Sequence, residues 1–428
     1  MPTGDGLLAR LAPVATIALD DVAELCRAAR EFGNGIVEIT ARGNIQIRGV
    51  RPDAAEAFAQ SAAVDGTGDD GVAVLTDPLA GLGAEPSVDV TVLADELRTA
   101  LASQVLAARL SPKISIVIDG GTALHLDAIA ADVRLRADSA GGFHVAVGGS
   151  APDAIVIGGV RRSDAVALVL RLLDVIAERG RIARARAIVQ SEGVAAFAEA
   201  ARALVTFAPR LSLRGKAQPI GRHALRDGSF AVGLGLAFGH TTASVLEQLV
   251  AVARQARAHG LRTAPRCLLV TGVPAGRVTQ LVEIAEQLGF VTAANDPRLH
   301  VAACAGAPLC ASGEIATRTL APDVAAAATS LLDGTLAIHL SGCGKGCAHA
   351  GTAALTIVGS VANTCRIVLS GTTTDAAIAE ISADALPQTL ARLARAIEGV
   401  AAPGESASAT LARLDAERIA AALAEPRP

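Results

Sequence analysis

The chain has no tryptophan, no tyrosine and only eight phenylalanines among its 428 residues. Proteins that bind single-stranded nucleic acids stack the bases on aromatic side chains, so this composition argues against nucleic acid as a partner. The net charge of −4 also gives no general basic surface for a polyanion. Any cationic binding site must therefore be built locally, from a few residues.

Long hydrophobic runs are missing too. Hydrophobic residues make up 51% of the chain, but they are spread along amphipathic segments, and no apolar run reaches the roughly 20 residues that a membrane helix needs. The first 21 residues contain a single cation, Arg10, and no charged segment ahead of an apolar core. The seven cysteines are an odd number, which suits a reducing compartment. We therefore expect a cytoplasmic protein without membrane contact.

Four of the cysteines form two pairs near the C-terminus. Five residues separate Cys304 from Cys310, and three separate Cys343 from Cys347 within a glycine-rich loop. Soft thiolate ligands select iron–sulfur clusters or zinc. Structural zinc usually takes both pairs at spacings of two to four residues, so the longer first pair favours a cluster. Zinc and four unligated thiols stay as alternatives.

The other three cysteines fall within predicted secondary structure. Cys26 lies on the apolar face of a predicted helix, and Cys267 and Cys365 lie in predicted strands. A free cysteine in such a position behaves as a small buried hydrophobic residue. We do not expect these three to bind metal.

The spacing C-x5-C followed by C-x3-C resembles that of the sulfite and nitrite reductase family, whose four cysteines hold a [4Fe-4S] cluster. The run from Ser341 to His349 is similar to the G-C-x-K-G-C-A-H sequence of the precorrin-3B synthase branch of that family. Sirohaem reductases tend to carry C-P-N-x-C there, and Lys345 stands in place of the asparagine. The resemblance implies a cluster bound by the four paired cysteines.

Internal repetition organises the chain into two halves. Residues 7–50 and 230–273 each predict a strand, a helix and a returning strand, with Asp20 as the N-cap of the first helix and Gly260 as the stop of the second. A fainter repeat relates residues 114–149 to 337–371, and only the later copy contains the paired cysteines. The order of segments is therefore A, B, A′, B′.

This order predicts an internally duplicated α+β fold of the α/β sandwich type. By resemblance, A and A′ are ferredoxin-like half-domains, and B and B′ are reductase-type iron–sulfur domains, of which B lacks the cysteine ligands. Joints with proline and glycine near residues 78–86 and 207–221 mark two of the boundaries. We expect A to span 1–78, B 79–206, A′ 207–297 and B′ 298–428.

Residues 41–49 form the first candidate binding segment. Read as one alternating strand, the segment places Arg42, Asn44, Gln46 and Arg48 on a single face. Guanidinium groups bind carboxylates through two parallel hydrogen bonds, although a solvated strand face would show the same pattern. The sequence from Thr40 onward also resembles the N-terminal tetrapyrrole-binding strand of the family, which favours substrate binding by these four residues.

Two further residues join this set through the resemblance. Lys113, in a Pro-Lys pair ahead of a strand, matches a lysine that meets ligand carboxylates in the family. His240 ends the first strand of A′ in a similar pattern, and it either faces the ligand or caps the next helix. A basic stretch leads into A′. Its residues either bind carboxylates of the tetrapyrrole or are the solvated charges of a linker. The stretch consists of Arg210, Arg214, Lys216, Arg222 and His223.

The resemblance implies an oxidoreductase, a monooxygenase of cobalamin biosynthesis. Its substrate would be the polycarboxylate tetrapyrrole precorrin-3A, which is converted with O2 to a C20-hydroxylated γ-lactone, precorrin-3B. Besides the cluster, the family is thought to use a mononuclear non-haem iron, whose default ligands are two histidines and a carboxylate. No local motif of that kind is visible. Because no dinucleotide-binding motif follows a predicted strand, we expect electrons to come through a donor protein or an NADH-linked reductase.

Two other functions use the same residues. A sirohaem-dependent sulfite or nitrite reductase would share the four cysteines and Arg42, and its sirohaem would be a permanently bound, haem-type cofactor. A non-enzymatic iron–sulfur or zinc binding module would need only the cysteines. That module would leave the polar row from Arg42 to Arg48 without a purpose.

Overall fold

The computed structural model describes residues 2–64, 67–68, 71–85, 87–102, 105–207, 213–349 and 351–423. Half-domain A builds an antiparallel sheet in which the strands run in the order β1, β2, β5, β4, and β6 pairs with β2. Its elements are β1 Pro2–Thr3, β2 Gly6–Pro13, β3 Ile17–Ala18, α1 Leu19–Phe32, β4 Ile36–Ile39, β5 Ile45–Val50, α2 Ala55–Ser61 and β6 Thr67–Gly68.

Helix α1 forms as its apolar spacing predicts, with Val22, Leu25 and Cys26 buried and Gly33 at its C-terminal end. The predicted N-cap is wrong, because the helix begins one residue before Asp20 and Ala18 is the capping residue without a side-chain bond. Asp20 instead lies in the first turn, where a carboxylate interacts favourably with the helix dipole.

Domain B forms one sheet of strands in the order β12, β11, β10, β9, β8, β7. Strands β7, β8 and β9 are parallel to one another, and the others pair antiparallel. Its elements are β7 Ala73–Thr76, α3 Thr91–Ala102, α4 Leu106–Arg109, β8 Ser115–Asp119, β9 Ala131–Ala137, β10 Gly142–Gly149, β11 Ile155–Arg161, α5 Ala165–Ala177, α6 Ala185–Glu192, α7 Ala195–Ala201 and β12 Val205–Thr206. The helices cover a separate apolar core.

Half-domain A′ repeats the design of A. Its elements are β13 Gly221–Ala224, β14 Phe230–Gly235, β15 His240–Thr242, α8 Ala243–Gln255, β16 Gly260–Ala264, β17 Cys267–Val273 and α9 Val278–Gln287. The predicted stop at Gly260 is wrong: α8 ends at Gln255, and Gly260 begins β16. In A the returning segment is a hairpin, β4–β5, rather than one strand, whereas in A′ the returning strand is β17, which pairs with β16 in the corresponding hairpin.

The two half-domains exchange edge strands. Strand β15 of A′ pairs with β4, which places His240 opposite Glu38, and β3 of A pairs with β16. A side chain at Gly260 would lie 2.3 Å from the carbonyl oxygen of Ile17, so this close pairing requires glycine. Helices α1 and α8 pack together over one shared apolar core. A and A′ therefore fold as one unit.

Domain B′ has the same strand pattern as B. Strands β18, β19 and β20 are parallel, and β21 and β22 continue the sheet antiparallel. Its elements are β18 Val301–Ala303, α10 Thr317–Ala327, β19 Ile338–Ser341, β20 Ala353–Ser360, β21 Thr364–Gly371, β22 Ala379–Ser382, α11 Leu386–Glu398, α12 Ala407–Arg413 and α13 Ala416–Leu423. Among the described residues, no helix is long and apolar enough to span a bilayer.

Candidate functional site

The two parallel strands β18 and β19 bring the first cysteine of each pair together. Cys304 directly follows β18, and Cys343 follows β19 after one glycine, at the same edge of the sheet. The Cys304 amide donates to the carbonyl of Leu340 at 3.2 Å, and the Gly342 amide donates to Cys304 Sγ at 3.1 Å. An amide N–H directed at this sulfur favours the thiolate that a metal requires.

The Cys310 loop closes over this edge from the side of half-domain A. The Cys310 amide donates to the carbonyl of Gly306 at 2.8 Å, and the Ala311 amide donates to the carbonyl of Gly4 at 2.9 Å. A side chain at Gly4 would lie 2.6 Å from Cys310 Sγ, so the N-terminal segment packs directly on the cysteine loop. The site therefore lies between B′ and A.

Cys347 completes the set. Its pKa is raised, first by burial and then by Cys304 and Cys343, with Cys310 adding to the effect and Arg48 opposing it. Cys347 therefore lies within electrostatic reach of the other three paired cysteines. By contrast, burial raises the pKa of Cys26 and Cys365 to about 12 and also raises that of Cys267, as expected for isolated core thiols.

The loop that carries Cys343 and Cys347 is held by side chains on three sides. Ser341 Oγ donates to the carbonyl of Cys343 at 2.7 Å, and Thr373 Oγ1 donates to the carbonyl of Gly344 at 2.8 Å. Lys345 Nζ donates to Ser312 Oγ at 2.9 Å and so joins the two cysteine loops. Lys345 thus has a structural contact that the sequence did not reveal.

The polar row of residues 41–49 does not form a single face of one strand, and that prediction is wrong. Arg42 lies in the turn of the β4–β5 hairpin, which the amide of Thr40 closes by donating to the carbonyl of Asn44 at 2.9 Å. Within β5 the alternation is as expected: Ile45 and Ile47 enter the core, and Gln46 points to the opposite face.

Arg48 and Gln46 are engaged within the protein rather than directed at a substrate. Arg48 is buried and donates to Asp5 through Nε at 2.9 Å and through a terminal nitrogen at 2.8 Å, with Glu38 3.6 Å away. The Gln46 side-chain nitrogen donates to Glu38 at 3.2 Å, and its oxygen accepts from Arg10 at 2.8 Å. The structure therefore does not support the prediction that these two residues bind substrate.

A cleft of about 500 Å³ lies where A, B and A′ meet, and Arg42 and Asn44 line it. We call it the arginine cleft because four arginines contribute to its wall. They are Arg10, Arg42, Arg98 and Arg262. Two of them use hydrogen bonds to fix the wall: Arg262 donates to the carbonyl of Ala80 at 3.0 Å, and Arg98 to that of Val74 at 3.0 Å.

Arg42 differs from these arginines because its guanidinium has no hydrogen bond or ion pair among the described residues. Its pKa is lowered, first by partial burial and then by the nearby charge of Arg184. A guanidinium that is open to solvent at the wall of a cleft and lies near another cation is suited to an anionic ligand, which would offset the repulsion.

Lys113 is exposed in the turn before β8, and its neighbour Pro112 lines the arginine cleft. Its position agrees with a role at the rim. No contact in the structure assigns it that role.

A second cleft of about 480 Å³ adjoins the first and shares Pro78, Leu126 and Pro265 with it. We call it the linker cleft because residues 213–220, which lead into A′, form one wall. It is mostly apolar but includes Lys216 and Arg266. Arg266 donates to the carbonyl of Ala348 at 3.3 Å and so connects this cleft to the cysteine loop.

The rest of the predicted basic stretch has structural contacts. Arg214 binds Asp119 and Asp127, Arg222 lies 4.9 Å from the centre of the Phe230 ring, and the His223 ring contacts the carbonyl of Pro219 at 2.9 Å. Arg210 falls outside the described residues. Lys216 lines the linker cleft, and it forms no ion pair with any described residue.

His240 neither lines the two clefts nor caps a helix, since Thr242 Oγ1 is the cap of α8. It is buried beside Glu38 and Arg318, and its Nε2 has no partner in the described chain. Burial, followed by the charge of Arg318, lowers its pKa to about 3, so the ring is neutral at neutral pH. The structure places His240 behind the cysteine edge.

Two more histidines lie beside the cysteine loop. His339 on β19 is buried, its ring meets that of His349 edge-on at 5.7 Å, and neither of its nitrogens has a partner among the described residues. Burial, followed by His349, lowers the pKa of His339 to about 4. No three His, Cys, Asp or Glu side chains in the described ranges lie close enough together to hold a single metal ion.

Sequence reasoning missed Arg10, Arg266 and Arg318. Arg266 has a positive φ of 54° in the β16–β17 turn, where the repeat aligns it with Gly43 of the β4–β5 turn. The duplication could have revealed it, because both turns face the junction between the half-domains. Arg10 and Arg318 carry no comparable sequence signal.

The fold is of the kind found in the nitrite and sulfite reductases. The family described as nitrite/sulfite reductase ferredoxin-like half domain matches residues 1–63. The structure of the NirA protein of Mycobacterium tuberculosis superimposes with a TM-score of 0.78 at 18% identity, over 96% of this chain and 84% of that one. This likeness shows the duplicated α+β fold.

A curated precorrin-3B synthase from a Sinorhizobium species is 35% identical over 436 residues, covering 99% of this chain and 92% of that protein. The chain therefore belongs to the precorrin-3B synthase family.

Proposed function

We propose that this chain is an oxidoreductase of cobalamin biosynthesis that converts precorrin-3A to precorrin-3B. The reaction would consume O2 and reducing equivalents, hydroxylate C20 and form a γ-lactone. The observation that carries the proposal is the 35% identity to a precorrin-3B synthase over nearly the whole length of both chains. An enzyme of this family needs a site for a large polycarboxylate. A plain binding module does not.

The arginine cleft and the linker cleft supply such a site. The arginine cleft has a volume of about 500 Å³, and Arg42, which has no ion pair among the described residues, lies in its wall. The adjoining linker cleft has a volume of about 480 Å³ and includes Lys216. Cations held apart on different walls match a flat ring that carries carboxylates around its rim. We propose that Arg42 and Asn44 bind the substrate, with Lys113 at the rim. Arg266 would connect the bound ring to the cysteine loop.

We further propose that Cys304, Cys310, Cys343 and Cys347 hold a [4Fe-4S] cluster. The fold class, which in general suggests iron–sulfur and sirohaem-type cofactors, supports this assignment. So do the mutual effects of the four thiols and the Gly342 amide that donates to Cys304 Sγ. Such a cluster transfers electrons one at a time. The chain would contribute the thiolates, the amide donor and a partly buried setting that limits access of water.

The remaining features are proposed on the resemblance alone. They are a mononuclear non-haem iron, an electron-donor protein or NADH-linked reductase, and a cytoplasmic location. The structure assigns no ligands to such an iron, because no two-histidine, one-carboxylate group converges in the described residues.

Anaerobic purification followed by absorption and EPR spectroscopy tests the cofactor. We expect a broad absorption shoulder that bleaches on reduction and an EPR signal from the reduced cluster. Sharp sirohaem bands would instead support a sulfite or nitrite reductase, and a colourless protein with stoichiometric zinc would contradict the cluster. Turnover of precorrin-3A with isotopically labelled O2 then tests the reaction, and absence of label at C20 would contradict the monooxygenase.

Arg42→Ala tests the substrate site. Because the guanidinium has no other partner among the described residues, its loss should leave folding and iron content unchanged and weaken precorrin-3A binding at least about tenfold. Arg202→Ala, at the exposed position directly after α7, is the matched control and should bind normally. Binding measured by fluorescence quenching or calorimetry checks this. Unchanged affinity in Arg42→Ala would rule out the assignment.

A further inference from the structure

Two buried arginines flank the cysteine edge from different parts of the chain. Arg48 lies on β5 of half-domain A, and Arg318 lies in the first turn of α10 in domain B′. Their side chains are only 10% and 12% exposed. Charges this well shielded from water act strongly on their neighbours.

Arg48 reaches the site through the N-terminal segment. Asp5 accepts two hydrogen bonds from Arg48, at 2.9 and 2.8 Å, and Asp5 directly follows Gly4, which packs on Cys310. The charge of Arg48 lowers the pKa of Cys347, although burial raises that pKa by more. Cys310 in turn raises the pKa of Arg48. Arg48 is therefore electrostatically coupled to two of the four thiols.

Arg318 reaches the site from the opposite side. The preceding residue, Thr317, donates from Oγ1 to the carbonyl of Cys304 at 2.8 Å, and the same oxygen lies 3.8 Å from Cys304 Sγ. The Arg318 guanidinium interacts electrostatically with Cys304. Its Nε has no partner in the part of the chain that the structure describes.

Glu38 links the two arginines. One carboxylate oxygen accepts from Arg318 at 2.6 Å, and the other lies 3.6 Å from Arg48. Opposite Glu38 in the exchanged strand pair stands His240, which is neutral. A single carboxylate thus fixes both guanidinium groups in place, one from each side of the A–B′ junction.

We propose that Arg48 and Arg318, held by Glu38, are positioning residues that set the reduction potential of the cluster. The proposal rests on the [4Fe-4S] assignment made above. Reduction adds one electron, and hence one negative charge, to the cluster and its four thiolates. Nearby positive charge stabilises the reduced state, and net charge and hydrogen bonding are known determinants of cluster potential.

EPR-monitored redox titration of the purified holoenzyme with dithionite tests this. Arg48→Gln and Arg318→Gln should each keep the cluster and shift its midpoint potential to more negative values. Arg48→Lys, which keeps the charge, should stay closer to the wild type than Arg48→Gln. Glu38→Gln removes a negative charge and should shift the potential in the opposite direction. Arg202→Gln, at an exposed position directly after α7, should have no effect.

The outcomes separate this inference from the proposed function. A wild-type protein without a cluster signal would contradict the function itself. Full cluster content with unchanged potentials in Arg48→Gln and Arg318→Gln would overturn the inference and leave the function standing. If one arginine variant loses its cluster, the midpoint potentials of the other arginine variant and of Glu38→Gln decide. Shifts in the expected directions, negative for the arginine variant and positive for Glu38→Gln, would support the inference, and any other result would overturn it. Cluster loss in all three, with native secondary structure, would assign the network a purely structural role and overturn the inference.

Discussion

Domains B and B′ place different chemistry on the same backbone. In both domains the first two strands of the sheet, β7–β8 and β18–β19, are parallel, with Thr76 opposite Ile118 in one and Ala303 opposite Leu340 in the other. The next residue after the first strand is Asp77 in B and Cys304 in B′. After the second strand, the Gly120 amide donates to Asp77 Oδ2 at 3.4 Å, as the Gly342 amide donates to Cys304 Sγ at 3.1 Å.

The rest of the edge has diverged. In B, Arg214 binds Asp119 and Asp127 and fills the edge with an ion-pair network. In B′, Cys304 and Cys343 follow the two strands, and the loop of Cys310 is joined to that of Cys343 by Lys345. In each domain one backbone N–H after the second strand donates to the side chain that follows the first strand, and a hydrogen bond of this kind favours the charged form of that side chain, a carboxylate or a thiolate. The duplication thus conserved the backbone donor and exchanged its acceptor.

The largest effect is expected from Cys343→Ser. Loss of one of the four converging thiols should remove the cluster and the activity together, because serine is a poor ligand for iron–sulfur iron. Iron content, absorption and EPR check this. Cys365→Ala, which changes a buried core thiol of the same domain, is the matched control and should keep full iron content. Full iron content in Cys343→Ser would show that the site is not a four-cysteine cluster.

Arg214→Met breaks the network of B. It leaves the buried Asp119 and the mostly buried Asp127 without their main partner, and such losses cost about 3–5 kcal/mol of unfolding free energy. Burial, the largest single effect, would raise the pKa of Asp127, but the hydrogen bonds and charge of Arg214, together with the charges of His125 and Arg136, lower the pKa overall.

The stabilisation from Asp127 is therefore present above its ordinary pKa of 3.8 and lost as pH falls through the lower folded value. The variant should be less stable in urea at neutral pH, with weaker acid dependence and unchanged iron content. Loss of iron would show that the two edges are coupled.

Asp77→Asn should stabilise the protein. Burial raises the pKa of Asp77 to about 6, so the folded state loses stability as pH rises from the ordinary value of 3.8 to about 6, where the carboxyl ionises. Asparagine removes this penalty and keeps an acceptor for the Gly120 amide. We expect a gain of about 1–3 kcal/mol above pH 6, and none at pH 4, from thermal unfolding. Equal stability of both proteins at pH 8 would contradict the raised pKa.

The smallest effect is expected from Lys345→Gln. The hydrogen bond from Lys345 to Ser312 is exposed, and surface contacts of this kind contribute about 1 kcal/mol or less. Iron content should be unchanged and the unfolding free energy slightly lower. Ser312→Ala, which removes the other partner, should have the same effect. Loss of the cluster in Lys345→Gln alone would mean that the lysine acts on the cluster directly.

The sequence predicted the fold well where periodicity is strong. The helix predicted within residues 7–50 is α1, because apolar spacing dictates which face is buried. The prediction failed at the β4–β5 turn, where Thr40 to Asn44 looked like a strand. Alternation of polar and apolar residues does not distinguish a turn from a strand when Gly43 provides the positive φ of 77°.

The candidate site was predictable only in part. The four paired cysteines could be recognised as candidate ligands from their spacing in the sequence, whatever the number of residues between the two pairs. Arg48 and Gln46 looked equivalent to Arg42, yet Asp5, Glu38 and Arg10 engage them. Those partners come from other strands, and nothing in residues 41–49 indicates them.

The sequence alone determined the repeated strands and helices and the spacing of the four paired cysteines, because spacing and periodicity are properties of the chain. The tertiary structure decided which arginines are free. Among the described residues, Arg42 has no hydrogen bond or ion pair in the arginine cleft, whereas Arg48 is held by Asp5 and Glu38, and Arg318 by Glu38. A charge is available to a ligand only when folding brings it no counter-ion, and Glu38 lies 280 residues from Arg318 along the chain.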